Sequence, residues 1–314
     1  MADATHSAAM TPASATPMLH PQRRYSLGKA LVYALLTTFA FVSLIPFLWM
    51  ISTSLMTLGE TLNMRLLPGD ALSGLNNYTR AWNEAQFSRY FMNSVIITFT
   101  TITGLLTTSV LAGYAFARIQ FVGRNTLFTL MLITLMIPEA VTMVPNFLII
   151  TGKIPVIPSF TDTFPPQLVF DRNWMNTLTA LTLPFMANAF SIFLLRQFFS
   201  TIPNELWDAC RIDGGGHLRF LTQIVLPISK PVILTVTLLT FIASWNAFLW
   251  PLIVTTRPDW RPLVVGLYNF TQEAGTDTHL LMAGSFITIL PIMLLYFFTQ
   301  KTFTEGIATT GLKG

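Results

Sequence analysis

The sequence predicts an all-α polytopic membrane protein, and three observations lead to this fold class. Of the 314 residues, 52% are hydrophobic and only 10% are charged, whereas a soluble domain carries about a quarter charged residues. The mean hydropathy is +0.58. Apolar runs of membrane length recur along the chain, since a helix needs about 20 apolar residues to cross the hydrocarbon core. We therefore predict six transmembrane helices, at about 30–52, 93–117, 127–150, 178–199, 231–255 and 279–299.

The segment before the first predicted helix has a different character. Residues 1–22 are rich in Ala, Thr, Ser and Pro, have no apolar face and lack the charged start of a signal peptide. We predict a disordered cytoplasmic tail at 1–28 and a transmembrane domain at 29–314.

Basic residues set the predicted orientation, because short cytoplasmic loops carry the excess of Lys and Arg. With the N-terminus inside, the larger share falls on the inner side, including Arg118, Arg124, Arg196 and Arg211. Both termini and the loop at 201–230 are therefore predicted to be cytoplasmic. The outer loops differ: residues 56–91 suggest a folded interfacial segment, and 151–177 a proline-rich, semi-rigid loop.

Composition argues against several other classes of function. The net charge of +4 is spread among apolar spans, so it does not form a nucleic-acid-binding face. A single cysteine allows no disulfide within the chain, and the four histidines have no metal-ligand spacing. We predict no metal site and no redox chemistry.

The loop at 201–230 interrupts the hydrophobic pattern with two short predicted helices. Thr201 is the predicted N-cap of the first, and Gly214 ends it in the left-handed conformation that glycine favours. The predicted apolar face consists of Ile202, Leu206, Ala209 and Cys210. Cys210 is expected to pack there rather than react. The second helix is predicted from Leu218, Leu221, Ile224 and Val225, and it ends before Pro227 and Pro231.

Two interpretations of this loop follow from spacing alone. An interfacial helix would lie on the bilayer and use Arg211 and Arg219 to meet lipid headgroups. A protruding helix would fit a groove of another protein, and the two acids and three successive glycines favour this second interpretation.

The motif Pro203-x-Glu205-Leu206-x-Asp208-Ala209-Cys210-x-x-Asp213-Gly214 resembles the coupling-helix signature, or EAA loop, of permease subunits of bacterial ABC importers. Asp208 and Cys210 stand where that family usually has Glu and Ala, and Gly215 stands where it favours Ala. The stretches at 93–118, 241–254 and 306–314 are similar to the MalG-like, carbohydrate-uptake branch.

The resemblance implies a mechanism and a set of partners. In that family two permeases form the pore, two ATPases lie beneath, and an extracytoplasmic binding protein delivers substrate. Here a MalF-like second permease, a bacterial inner membrane and a sugar or polyol substrate are implied. The implied ATPase-coupling residues are Glu205, Asp208, Ala209, Cys210, Asp213 and Gly214. The implied ATPase-contacting tail is Thr310, Gly311, Leu312, Lys313 and Gly314.

No residue is predicted to catalyse a covalent step. The chain lacks the pattern G-x-x-x-x-G-K-[ST], and Gly214 to Gly216 are followed by His217 rather than Lys. We therefore expect no cofactor in this chain, with ATP and Mg²⁺ bound by the partner ATPase.

Polar residues within the spans are candidates for the substrate path, because polar groups in a membrane are costly. They are Glu139, Asn188, Ser191 and Asn246. For Glu139 the alternative is that it stabilises a kinked helix. For the others it is that the amides and the serine form helix–helix contacts and that Trp245 and Trp250 belong to an interfacial aromatic belt.

Two rival functions remain open at this point. An ion-coupled secondary transporter or channel acting without an ATPase needs acids within its spans, and Glu139 is the only candidate well inside one. A membrane-anchored scaffold would dock a soluble partner without transport.

Overall fold

The computed structural model describes residues 27–63, 65–84, 86–152, 173–272 and 275–311. The predicted all-α class is confirmed, with one two-residue antiparallel strand pair, Thr271–Gln272 and Gly275–Thr276, in the described residues. The α-helices are α1 (Leu27–Ser54), α2 (Leu58–Leu62), α3 (Ala71–Gly74), α4 (Asn76–Glu84), α5 (Phe87–Arg118), α6 (Arg124–Ile133), α7 (Glu139–Ile150), α8 (Leu178–Thr182), α9 (Ala189–Thr201), α10 (Asn204–Ile212), α11 (His217–Phe220), α12 (Leu226–Ile228), α13 (Lys230–Trp245), α14 (Leu249–Val254), α15 (Leu263–Leu267) and α16 (Thr278–Gly311). Short 3₁₀ turns occupy Thr134–Met136, Leu183–Phe185, Pro258–Trp260 and Tyr268–Phe270, and Leu221–Val225 is a π-helical turn.

Membrane-length helices agree with a multi-pass protein. Within the described ranges, three helices are long and apolar enough to cross a bilayer: Gly28–Ser54, Phe87–Arg118 and Thr278–Gln300. Three bent pairs reach that length together: Arg124–Met136 with Glu139–Ile150 at 103°, Leu178–Phe185 with Ala189–Thr201 at 45°, and His217–Ile228 with Lys230–Trp245 at 79°. The chain divides into two compact units at Leu48, and the described part of the first is the helix up to that residue.

The third predicted span, 127–150, is not one continuous helix. Pro138 has no N–H and adopts φ −59°, ψ 139°, and Ile137 before it is extended at ψ 117°. Both conformations break the helical hydrogen-bond ladder. Glu139, predicted well inside a span, is instead the first residue of α7 beside this bend, and it is exposed.

The fourth and fifth predicted spans are also interrupted. In 178–199 the helix restarts at Asn188, which has an extended backbone and caps α9. In 231–255 the first helix, α13, ends at Trp245, and α14 begins at Leu249. The helical ladder stops before Pro251, since the Ala247 amide donates to Ser244 O at 3.3 Å, three residues back rather than four.

Helix α5 packs closely against α9. A Cβ atom on Gly113 would lie 3.2 Å from Cβ of Leu195 and 3.3 Å from the backbone nitrogen of Arg196. Small residues allow such approach between membrane helices. A buried apolar cluster joins both helices to the segment that follows α9 and includes Leu105, Tyr114, Leu195, Phe199, Cys210, Phe220 and Val225.

The predicted interfacial segment at 56–91 contains α2 to α4, and Glu60 organises its start. The Thr57 side chain caps the Glu60 amide, and the Glu60 carboxylate accepts from the Thr57 amide at 2.9 Å. Glu60 also accepts from the Gly69 amide at 2.7 Å, and Arg65 lies 3.5 Å away. The amides of Thr57 and Gly69 hold the pKa of the Glu60 carboxyl below its ordinary value.

We expect acid to release this segment through Glu60. Because the pKa is lower in the folded state, the stabilisation is present above the ordinary carboxyl pKa of 4.5 and is lost as pH falls through the lowered value. Hydrogen exchange at the Gly69 amide, corrected for intrinsic pH dependence, should therefore accelerate in acid. Glu60→Gln should remove the pH dependence, and Glu84→Gln should keep it; unchanged pH dependence in Glu60→Gln would contradict the assignment.

Candidate functional site

The candidate site is the segment from Ile202 to Ile228, which we call the elbow. It contains α10, a turn of three glycines, α11, the π-helical turn and α12. Its second half meets α13 at 79°. The two predicted short helices are present, and the second continues past Pro227 to Ile228 but ends before Pro231.

The start of α10 differs from the prediction. Thr201 is not its N-cap but the last residue of α9, where its hydroxyl donates to the carbonyl of Phe198 at 2.8 Å. Pro203 occupies the N-cap position without a side-chain hydrogen bond. Proline fits there because the first backbone N–H groups of a helix have no partner within it. Glu205 lies in the first turn, as predicted, where a negative charge is favoured.

Of the predicted apolar face, Ile202 and Cys210 are buried, and Trp207 completes the buried side of α10. Cys210 is only 7% exposed and packs in the cluster under the elbow, as predicted. Leu206 and Ala209, predicted on the same face, are exposed. Trp207 displaces them because α11 supplies Phe220, whose ring meets the indole edge-on at 5.1 Å.

The exposed face of α10 carries a mixed acidic and apolar stripe. Glu205, Asp208, Ala209 and Ile212 are exposed at positions i, i+3, i+4 and i+7, which lie on one side of a helix. Ile212 is 86% exposed. Ile212 is not among the residues predicted from the sequence, although its spacing of seven residues from Glu205 places both on one side of the helix. The four residues are called the docking stripe below.

The second helical register also differs in detail. Leu218, predicted on its apolar face, is 72% exposed, whereas Phe220 is fully buried. Leu221 and Val225 are buried as expected. The π-helical turn at Leu221–Val225 widens the helix and shifts which residues face the core.

The three glycines of the turn have three different surroundings. Gly214 has φ +72° and ends α10 as predicted. Its amide donates to Arg211 O at 3.0 Å, and the Gly215 amide donates to Cys210 O at 2.7 Å, which is the Schellman arrangement. A Cβ on Gly215 would overlap Sγ of Cys210, whereas one on Gly214 or Gly216 would meet nothing within 4 Å.

The Cys210 side chain therefore leaves no room for a side chain at position 215. We expect Gly215→Ala to destabilise the elbow by about 1–3 kcal/mol, because overpacking forces side chains and backbone apart. Adding Cys210→Ala should recover part of this loss, although the Cys210 carbonyl still lies 2.8 Å from the new Cβ. Thermal unfolding of the single and double variants measures the coupling. Strict additivity would show that the sulfur is not the obstacle.

Arg118, at the end of α5, connects the first half of the elbow to the helices. Its Nε donates to Phe199 O at 3.1 Å, and Nη1 donates to Asn204 Oδ1 at 2.7 Å. Nη2 donates to Phe199 O and Ile202 O. The guanidinium thus satisfies carbonyls at the end of α9 that have no helical partner. This single side chain joins α5, α9 and α10.

An aromatic contact ties both halves of the elbow to α5. The Trp207 and His217 rings stack at 4.5 Å with an interplanar angle of 15°. The Tyr114 hydroxyl and His217 Nδ1 are hydrogen-bonded at 2.9 Å. We call Tyr114, Trp207 and His217 the aromatic clamp. Tyr114 and Arg118 lie one helical turn apart on α5, and both resist a displacement of α10.

The polar candidates within the spans lie at helix breaks. Asn188 Oδ1 accepts from the Ser191 amide at 3.1 Å, so the two form a cap; Ser191 is buried and Asn188 is exposed. Exposed Asn246 donates to Ile242 O at 3.0 Å at the end of α13. Asn188, Asn246 and Glu139 thus border the interruptions of three predicted spans.

The tryptophans beside Asn246 are core residues rather than a lipid-facing belt. Trp245 is 2% exposed and donates to Thr288 O at 2.9 Å, and Trp250 is 7% exposed and donates to Ala180 O at 3.0 Å. Of the predicted tail, Thr310 and Gly311 fall in the last turn of α16. Leu312, Lys313 and Gly314 lie outside the described residues, as do 1–26 and most of the predicted outer loop.

Comparison with known proteins gives one family. The family described as "Binding-protein-dependent transport system inner membrane component" matches residues 108–302, a range that contains the whole elbow. The arabinooligosaccharides transport system permease protein AraQ of Halalkalibacterium halodurans is 35% identical over 282 residues, covering 88% of this chain and 93% of that protein.

Two further proteins extend the comparison. The sn-glycerol-3-phosphate transport system permease protein UgpE of Yersinia enterocolitica is 33% identical over 252 residues, covering 78% of this chain and 82% of that protein. A chain in the crystal structure of a bacterial ABC transporter involved in the import of the acidic polysaccharide alginate superposes with a TM-score of 0.72 at 23% identity. It covers 91% of this chain and 99% of its own length, and it has the same fold.

Proposed function

The chain belongs to the binding-protein-dependent transport system inner membrane components, and from this membership we propose that it is one permease subunit of an ABC importer. Such a subunit forms half of the translocation pathway and uses ATP hydrolysis by partner subunits. We favour this function over that of an ion-coupled transporter acting alone. Glu139, the acid on which that alternative depends, borders a helix break rather than the middle of a span.

The observation that carries the proposal is the docking stripe on a firmly held helix. Glu205, Asp208, Ala209 and Ile212 face outward, while Trp207 and Cys210 anchor the opposite face. An exposed isoleucine between carboxylates has no partner within the described chain. A cleft with an apolar floor and a basic rim would match it, and we assign that cleft to the partner ATPase on the cytoplasmic side.

The mechanism follows from how the elbow is attached. When the ATPase subunits close, the cleft displaces α10. Arg118 transmits the displacement to the ends of α5 and α9, and the aromatic clamp transmits it to α5. On the other side, the elbow pushes on α13 across the 79° bend. Gly214 and Asp213 form the turn that keeps α10 and α11 at a fixed angle.

The substrate we propose is a sugar or a related polyol, taken from what the relatives are named for. Asn188, Ser191 and Asn246 are the candidates for contact with it, because amide and hydroxyl groups hydrogen-bond to sugars. The partners are a second, MalF-like permease, two ATPase subunits that bind ATP and Mg²⁺, and an extracytoplasmic binding protein. The tail from Thr310 to Gly314 would reach the ATPases.

Reconstitution in proteoliposomes tests the proposal. Uptake of a sugar in the presence of its binding protein should require this chain, its ATPase partner and internal ATP together. Uptake by this chain without the ATPase, driven by an ion gradient, would favour the secondary transporter. Stable binding of an ATPase without any ATP-dependent uptake would favour the scaffold.

A further inference from the structure

A polar cavity lies beside the elbow, and Arg118 of the proposed coupling mechanism forms part of its wall. It has a volume of about 300 Å³ and opens between the end of α5, the start of α6, the end of α9 and α10. Its polar lining comes from Arg118, Gln120, Arg124, Ser200 and Asn204. No acidic side chain lines it in the part of the chain that the structure describes. The cavity therefore concentrates positive charge and hydrogen-bond donors.

The two arginines of the cavity differ in how many donors they have left. A guanidinium has five N–H donors. Arg118 uses most of its donors in hydrogen bonds to Phe199 O, Ile202 O and Asn204 Oδ1. Arg124 makes one long bond, from Nη1 to Ile119 O at 3.4 Å. Neither forms an ion pair across the described ranges. Arg124 therefore offers a charged, planar donor group to an anion, and Arg118 adds its charge.

Exposed apolar residues lie next to the cavity in the chain. Between the lining residues Gln120 and Arg124, Val122 is 101% exposed and Phe121 is 39% exposed. On α6, Leu127 and Leu130 follow Arg124 and are 52% and 55% exposed. A free inorganic anion gains nothing from apolar residues beside its site. A lipid matches both parts, because its headgroup is anionic and its chains are apolar.

We propose that this cavity binds the phosphate group of an anionic phospholipid, with Arg124 as the principal donor and the acyl chains along the exposed face of α6. Basic pockets between membrane helices recognise phospholipid headgroups in this way, and bidentate contacts to phosphate favour arginine. The lipid would bridge α5, α6 and α10 at the level where the elbow meets the spans.

The test uses the assembled transporter in nanodiscs of phosphatidylcholine containing phosphatidylglycerol. Native mass spectrometry measures how much phosphatidylglycerol is retained after transfer to detergent. Arg124→Gln should weaken retention about five-fold, the effect of one arginine near an anionic surface. Arg124→Lys should retain an intermediate amount, and Arg257→Gln, an exposed arginine remote in sequence from the cavity, should match the wild type. Equal retention in all four proteins would overturn the proposal.

Inorganic phosphate serves to distinguish a lipid headgroup from a free phosphate ion as the ligand of this cavity. Binding of phosphate to the complex in pure phosphatidylcholine discs, lost in Arg124→Gln while phosphatidylglycerol retention is unchanged, would overturn the lipid assignment. Retention of phosphatidylglycerol that resists added phosphate supports it.

A second variant avoids any effect on folding. Val122 is fully exposed in the turn between Gln120 and Arg124, so Val122→Asp places a negative charge beside the cavity without disturbing a buried contact. It should lower phosphatidylglycerol retention, whereas Val122→Asn should not. Identical retention in these two variants would contradict the site even if Arg124→Gln failed to assemble.

Discussion

Replacing Glu205 with lysine is expected to abolish uptake by the assembled transporter while the chain remains folded. Glu205 is exposed on the docking stripe, so its substitution removes no buried contact. A like charge facing a basic cleft costs several kcal/mol, and a positive charge in the first turn of α10 opposes the helix dipole. Because about 1.4 kcal/mol is a factor of ten, ATPase retention should fall at least ten-fold. Co-purification with the ATPase and ATP-dependent uptake measure the two effects.

Glu84→Lys is the matched control for this result. Glu84 is also an exposed acid on a helix, 3.0 Å from Arg80, and an exposed pair of this kind contributes at most about 1 kcal/mol. We expect this variant to retain the ATPase. Full uptake and ATPase retention in Glu205→Lys would show that α10 is not the docking helix.

Replacing Gly214 with valine is expected to uncouple ATP hydrolysis from uptake, through backbone strain rather than through a change of charge. The residue has φ +72°, which a β-branched side chain adopts only with strain. Space is not the obstacle, because a Cβ there meets nothing within 4 Å. The strain of about 1–3 kcal/mol should instead open the Schellman turn and change the angle between α10 and α11. ATP hydrolysis should then continue with greatly reduced uptake.

Gly216→Val isolates the backbone effect. Gly216 has φ −96° and also has open space around its Cβ position, so valine fits without strain. The unfolding midpoint and uptake should remain near the wild type. Equal loss in both variants would mean that the turn is sensitive to side-chain bulk rather than to the left-handed conformation of Gly214.

Features set by neighbouring residues were predictable from the sequence. Gly214 ends α10 because a left-handed residue is a local requirement, and the acid in the first turn is equally local. The break at Pro138 was visible as a proline, yet Pro46 and Pro291 lie inside continuous helices. Proline alone therefore does not reveal which spans are interrupted, because neighbouring groups decide whether the helix resumes.

Features set by distant residues were not predictable. The face that α10 buries depends on Trp207 finding Phe220 and His217 across the turn, and periodicity within α10 cannot supply that partner. Arg118 appeared in the sequence only as a basic residue at the end of a span. Its hydrogen bonds to the end of α9 and the start of α10 arise from the packing of three segments that are far apart in the chain.

The fit between Cys210 and Gly215 has a consequence for exchanging this region among permeases. Alanine at both places would distribute a similar volume differently over the two sites, because the Cys210 sulfur occupies the space of a Cβ at position 215. Introducing alanine at position 215 alone would cause a steric overlap with Cys210, and introducing it at position 210 alone would leave a cavity. Chimaeras designed to pair this permease with a different ATPase should therefore exchange residues 210 and 215 together.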